Sequence, residues 1–164
     1  VLALFYPDNQ QRTKLALILR KTYRGVHSAQ IGFPGGRYED KDKTLRQTAI
    51  RETFEEIGIS MNLIEVIQRM TDIYIPPSNF YVQPFFAITK STPVFKKQDS
   101  EVEAILEVAI SELLDDRSVV QESVMSSNGN LVDVPAYVLN GHIVWGATAM
   151  MLSEIKDLIK ENLH

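Results

Sequence analysis

The chain predicts an α+β fold, an α/β/α sandwich in which a mixed β-sheet is flanked by helices. Three observations predict it. Short apolar runs bounded by Gly, Pro, Asn and Asp recur from end to end. Only two segments have the length and period of main helices, residues 43–57 and 147–163. Hydrophobic residues make up 45% of the 164, which suits one domain spanning 1–164 with a sizeable core.

The elements follow in order. Val1–Tyr6 and Lys14–Arg20 read as strands around the polar turn Pro7–Arg12. Lys21–Gly36 is a polar, glycine-containing loop. A helix over 43–57 follows, with Asp42 as its N-cap and Gly58 as its left-handed stop. Leu63–Tyr74 reads as one alternating strand, Pro76-Pro77-Ser78-Asn79 breaks it, and Phe80–Thr89 resumes as a strand. Ser91–Ser100 is a loop, Glu103–Ile110 a strand and Ser111–Asp115 a short helix. Val119–Met125 and Leu131–Leu139 flank Ser127-Asn128-Gly129-Asn130, where Asn-Gly signals a hairpin. Asn140-Gly141 marks a second turn. The terminal helix points Met151, Ile155, Leu158 and Ile159 inward, with Trp145 packed beneath it.

Composition narrows the function classes. A net charge of −4 supplies no basic face for nucleic acid and no polybasic patch for a membrane. The absence of cysteine excludes disulfides, thiolate catalysis and zinc–thiolate sites. No apolar run approaches a membrane span and no signal peptide is visible, so a cytoplasmic location is expected. The chain opens inside a strand-like segment, so residues before Val1 are expected to be missing.

The most informative segment is the first helix. Glu52, Glu55 and Glu56, spaced i, i+3 and i+4, share one face. Like charges so placed cost an isolated helix about 0.2–0.5 kcal/mol per pair. A hard divalent cation reverses that sign. Arg51 lies one turn before Glu55 and can orient it. Ile50, Phe54 and Ile57 form a second, core-facing stripe.

Taken with the glycine pair ahead of it, this helix resembles the Nudix box, G-x5-E-x7-R-E-U-x-E-E-x-G-U with U a bulky aliphatic. Gly36 fits the first position, and Arg51, Glu52, Glu55, Glu56, Gly58 and Ile59 fit the last part in register. Asp42 stands where the first Glu is expected, with eight residues between it and Arg51 where the pattern has seven, and Thr53 replaces an aliphatic. Upstream, Leu17, Arg20, Phe33, Pro34, Gly35 and Gly36 match part of L-L-T-x-R-(S/A)-x3-R-x3-G-x3-F-P-G-G. That motif marks the coenzyme A pyrophosphatase branch. Ile18, Gly25 and Ala29 depart from it.

The resemblance implies a Nudix fold and a metal-dependent hydrolase of a nucleoside-diphosphate-linked substrate. It points first to coenzyme A or acyl-coenzyme A, giving 3′,5′-ADP and a phosphopantetheine. ADP-ribose or another nucleoside diphosphate derivative is the alternative within that class, and a non-catalytic Nudix-fold module is the alternative outside it. It implies Mg2+ or Mn2+ held by Glu52, Glu55, Glu56 and the Gly36 carbonyl, dispersing charge on the phosphates. The base is Glu55 or Glu101, with Glu103 as a further candidate. Arg20, Arg24, Arg37 and Lys41 are candidate phosphate ligands, with Arg24 and then Arg37 preferred. Phe80, with Tyr74 and Tyr81, is a candidate for stacking a base, although strand aromatics are more often core. His27 is a weaker site candidate. The expected partner is a small-molecule diphosphate, with a homodimer left open.

Overall fold

The computed structural model describes residues 1–21, 30–125 and 129–162. The sandwich is as expected. Its centre is a mixed sheet of β1 (Leu2–Pro7), β2 (Thr13–Arg20), β3 (Ile31–Gly32), β4 (Glu65–Arg69), β7 (Phe85–Ile88) and β8 (Val102–Ala109). β8 runs along one edge of β2, Lys14 facing Ala109 and Leu17 facing Leu106. The other edge of β2 is shared, its first half pairing with β1 and its second half with β3. β1 also pairs with β7 in parallel, and β7 pairs antiparallel with β4.

β1 is apolar at every position of Leu2–Tyr6 because both sheet faces are covered. Leu2, Leu4 and Tyr6 pack on the side of α1 (Leu45–Ile57), with Ala49 and Ile57. Ala3 and Phe5 pack on the side of α3 (Gly146–Asn162), with Met151, Leu152 and Ile155. A three-stranded sheet of β9 (Val119–Met125), β10 (Leu131–Leu139) and β11 (His142–Trp145) leads into α3. The short helix α2 (Ile110–Leu114) follows β8. The centre of the Ser127–Asn130 hairpin lies outside the described residues, as do Arg24 and His27.

Several elements differ from expectation. The segment read as one strand, Leu63–Tyr74, divides into a 3-10 turn at Met61–Leu63, then β4, then β5 (Ile73–Ile75). Phe80–Thr89 divides at Gln83-Pro84 into β6 (Phe80–Val82) and β7. Pro84 has no N–H for a ladder, and its carbonyl accepts from Met70 N instead. β5 and β6 therefore leave the main sheet and form their own hairpin. Its Tyr74 and Tyr81 are not core residues: Tyr81 is 77% exposed, and the two rings pack at 4.8 Å with their planes tilted by 35°. Leu158 and Ile159 of α3 are only half-buried, while Leu152 takes a core place.

The first helix is rotated relative to its apolar pattern. Phe54 is 43% exposed, and the inward line is Ala49, Thr53 and Ile57. Thr53 can be buried because its hydroxyl donates to the Ala49 carbonyl at 2.7 Å. The N-cap is Thr44, whose hydroxyl accepts from Gln47 N, and not Asp42. Gly58 ends the helix at φ 77°, where an added Cβ would lie 2.9 Å from the Lys96 carbonyl oxygen.

Candidate active site

The site is built where α1 faces the turn Pro34-Gly35-Gly36. β3 delivers that turn, and Leu2 N donates to the Pro34 carbonyl, fixing it to the start of β1. Gly36 then passes so close to α1 that a Cβ there would lie 2.4 Å from the Glu52 carboxyl carbon. A side chain there would push the Glu52 carboxylate out of this position.

Arg51 organises the acidic face. It is buried, and its Nε and Nη2 donate to the two oxygens of Asp42 at 3.0 and 2.8 Å. Nη2 also donates to the Arg37 carbonyl at 3.0 Å. Nη1 donates to Glu52 Oε1 at 2.9 Å and to Glu55 Oε2 at 2.8 Å. The expected Arg51–Glu55 contact is present. Asp42 is the anchor of this network, held also by Thr48 Oγ1 at 2.9 Å. The Arg51 guanidinium holds the Asp42 carboxyl far below the usual carboxylate range, and Asp42 in turn raises the Arg51 pKa.

Glu56 is held from the other side. It is 1% exposed, yet Oε1 accepts from Arg20 Nη1 and Oε2 from Gly35 N, both at 2.8 Å. Burial raises its pKa, and the Arg20 charge opposes that rise. Arg20 is thus committed to a carboxylate, not free for phosphate. Lys41 likewise pairs with Glu39 and Glu55, at 3.0 and 3.6 Å.

The Glu52 pKa is also raised, first by burial and then, against the Arg51 contact, by Glu55 and Glu101. Glu101 is exposed in the turn before β8, close enough for its charge to act on Glu52. Glu103 lies exposed on β8.

The donor chemistry fits a hard divalent cation: carboxylate oxygens, one helix face, a backbone that approaches without side chains, and a crowded negative charge. Among the described residues, however, no three acidic or histidine side chains stand at metal-holding spacing. The oxygens are turned instead to Arg51, Arg20 and the Gly35 N–H.

Beside this face opens a cleft of about 970 Å³. Gly35, Gly36, Arg37 and Tyr38 line one end, and the β5–β6 hairpin with β11 and the start of α3 lines the rest. Trp145 is 38% exposed and lines this cleft, where sequence had placed it beneath α3. The Arg37 guanidinium lies over the Phe80 ring at 4.6 Å, bringing together two candidates far apart in sequence. The sequence carried no signal for the cleft's far wall, because β11 and the hairpin meet only through tertiary packing.

Fold, carboxylate face and cleft together define a Nudix domain, and the NUDIX domain family model matches residues 1–126. The chain belongs to the Nudix hydrolase family, whose members generally use divalent metal ions. The peroxisomal coenzyme A diphosphatase ndx-8 of Caenorhabditis elegans is 30% identical over 117 residues, covering 71% of this chain and 50% of that protein. The Nudix hydrolase NudL of Photorhabdus laumondii is 28% identical over 146 residues, covering 89% of this chain and 77% of that one. The chain thus spans half the length of the first of these relatives.

Among solved structures, the fold is similar to RenU, a Nudix hydrolase from M. smegmatis. The TM-score is 0.66 at 13% identity, over 98% of this chain and 83% of that one. A MutT protein from Methanosarcina mazei superposes with a TM-score of 0.60 at 13% identity, over 98% and 93% of the two chains. Among the described residues, no helix is long and apolar enough to cross a membrane.

Proposed function

We propose that this protein is a divalent-cation-dependent hydrolase that cleaves the diphosphate of coenzyme A or its thioesters, releasing 3′,5′-ADP and a phosphopantetheine. The observation that carries the proposal is the acidic face of α1, with Glu52, Glu55 and Glu56 set against the Gly35-Gly36 turn at the cleft mouth. Glu52, Glu55, Glu56 and the Gly36 carbonyl would hold Mg2+ or Mn2+, which supplies charge neutralisation at the phosphates.

The chain's own residues supply the rest. Arg51 fixes the direction of Glu52 and Glu55 through its grip on Asp42. Glu55 and Glu101 are the exposed carboxylates at this face and the two candidates for activating water. The choice of coenzyme A is supported by the name of the C. elegans relative and by the partial upstream motif.

Arg37 adds a physical reason. Among the described residues that line the cleft, its guanidinium has no ion pair with a carboxylate, and it rests on Phe80. It is therefore available to the 3′-phosphate that coenzyme A carries and ADP-ribose lacks. Arg24 belongs to the same proposal from sequence alone.

The test compares coenzyme A, dephospho-coenzyme A and ADP-ribose as substrates with Mg2+. Loss of the 3′-phosphate should cost about 1.5–3 kcal/mol in kcat/KM, the worth of a hydrogen bond to a charged group. Arg37→Ala should erase that difference while leaving dephospho-coenzyme A cleavage in place. Good hydrolysis of ADP-ribose with none of coenzyme A overturns the substrate assignment and leaves the general activity.

A further inference from the structure

Arg20 is a residue the upstream motif singles out and the proposed chemistry leaves without a role. It closes β2, and its side chain reaches α1. Nη1 donates to Glu56 Oε1 at 2.8 Å and Nη2 donates to the Gly35 carbonyl at 2.8 Å. Gly35 N donates back to Glu56 Oε2 at 2.8 Å. The three groups form a closed ring in which each Glu56 oxygen has a partner. A carboxylate so enclosed is a satisfied ion pair and not an open ligand.

The two arginines of the site differ in what they would retain. Arg51 grips Asp42 with two bonds that do not involve Glu52 or Glu55. Arg20 has Glu56 as its only carboxylate partner among the described residues, with a single bond to it. Arg20 is also 22% exposed and lines the cleft, so it has somewhere to go. Glu56 is buried and does not.

Resting on the reading that a divalent cation binds this face, we propose that Arg20 is the resident counter-ion of Glu56 and gives it up when the cation binds. Arg20 and the cation compete for one carboxylate. Released from Glu56, Arg20 faces the cleft, where a diphosphate is an alternative anion for its planar fork. Cation binding thereby arms a second phosphate-binding group: Glu56 has a cationic partner in both states, and Arg20, still bonded to the Gly35 carbonyl, regains an anionic one when a diphosphate enters.

The test is a calorimetric Mn2+ titration of the wild type, Arg20→Met and Arg20→Lys, with thermal melting of each in EDTA. Arg20→Met removes the competitor and should bind Mn2+ about tenfold more tightly than the wild type. The same variant should melt lower in EDTA, because Glu56 is left buried without its partner. Arg20→Lys should restore most of the melting temperature and return the affinity towards the wild-type value. A second readout needs no variant. In the wild type, added Mg2+ should speed solvent exchange of the Arg20 guanidinium protons, while those of Arg51 on Asp42 stay slow. Equal or weaker Mn2+ binding by Arg20→Met, or Arg20 protons equally protected with and without Mg2+, overturns the exchange and leaves the cation site standing. A wild type that binds no Mn2+ overturns both.

Discussion

The two faces of the central sheet are built by different means. On the α1 side, charged groups are buried and each has a partner: Asp42 with Arg51, Glu56 with Arg20. No buried side-chain nitrogen or oxygen among the described residues lacks a hydrogen bond. On the α3 side the core is apolar apart from Lys156, which is buried and paired with Asp116 at 2.9 Å, and the cleft on this side is lined by Tyr74, Tyr81 and Trp145. The contrast is a division of labour. Reacting groups need fixed positions, which buried ion pairs supply. Recognition of a large substrate needs area, which an open apolar wall supplies.

If the α1 side is for chemistry, its mutations should act on turnover before they act on binding. Arg51→Lys loses the planar fork that spans Asp42, Glu52 and Glu55. Its kcat should fall about 100-fold or more with KM changed little. Steady-state kinetics on coenzyme A reads both, and a change confined to KM would move Arg51 to the recognition side.

The next effect in size is cation linkage. A cation bound only by the folded protein, at 100 times its Kd, adds about 2.7 kcal/mol of stability. Thermal melts with Mg2+ or Mn2+ should show this gain in the wild type and lose most of it in Glu52→Gln and Glu56→Gln. Variants that keep the full gain would place the cation elsewhere.

The two kinds of carboxylate on this side should titrate in opposite senses. Asp42 is lowered by Arg51, so its contribution is present above its ordinary value of 3.8 and is lost as pH falls through the lowered one. Glu52 and Glu56 are raised, chiefly by burial. Their neutral forms favour the fold, so that contribution is full below the ordinary value of 4.5 and is lost as pH rises through the raised one. Denaturation in EDTA at a series of pH values should therefore show a decline above pH 4.5 that Glu52→Gln and Glu56→Gln reduce. An unchanged slope in both variants would remove these groups from the account.

The smallest effect distinguishes the observed from the expected orientation of α1. Phe54→Ser should cost about 1 kcal/mol, well short of a core aromatic, because the ring is only partly buried. Urea denaturation showing a loss typical of a core aromatic, about 3 kcal/mol or more, would restore the apolar stripe to the interior.

What sequence revealed follows the same division. The acidic face of α1 was legible because carboxylate spacing on a helix is local information. The Gly58 stop was legible for the same reason. The orientation of α1 was not, since buried Thr53 and Glu56 count as polar in any periodicity, and only their partners show that they are inside. Asp42 read as a cap because eight residues of chain separate it from the guanidinium it holds. The Arg20–Glu56 pair was hidden because its members lie 36 positions apart. The cleft was least visible: Arg37 meets Phe80 only when the β5–β6 hairpin leaves the sheet, and Trp145 reaches the same space from β11.

The central claim is that the acidic face of α1 is a cation-dependent centre for diphosphate cleavage. Product analysis by mass spectrometry tests it most directly. Wild-type protein and Glu52→Gln are incubated with coenzyme A, with Mg2+ or with EDTA. The account predicts 3′,5′-ADP and phosphopantetheine from the wild type with Mg2+ alone, and neither product from Glu52→Gln or in EDTA. Equal product from the wild type in EDTA, or from Glu52→Gln with Mg2+, would contradict it.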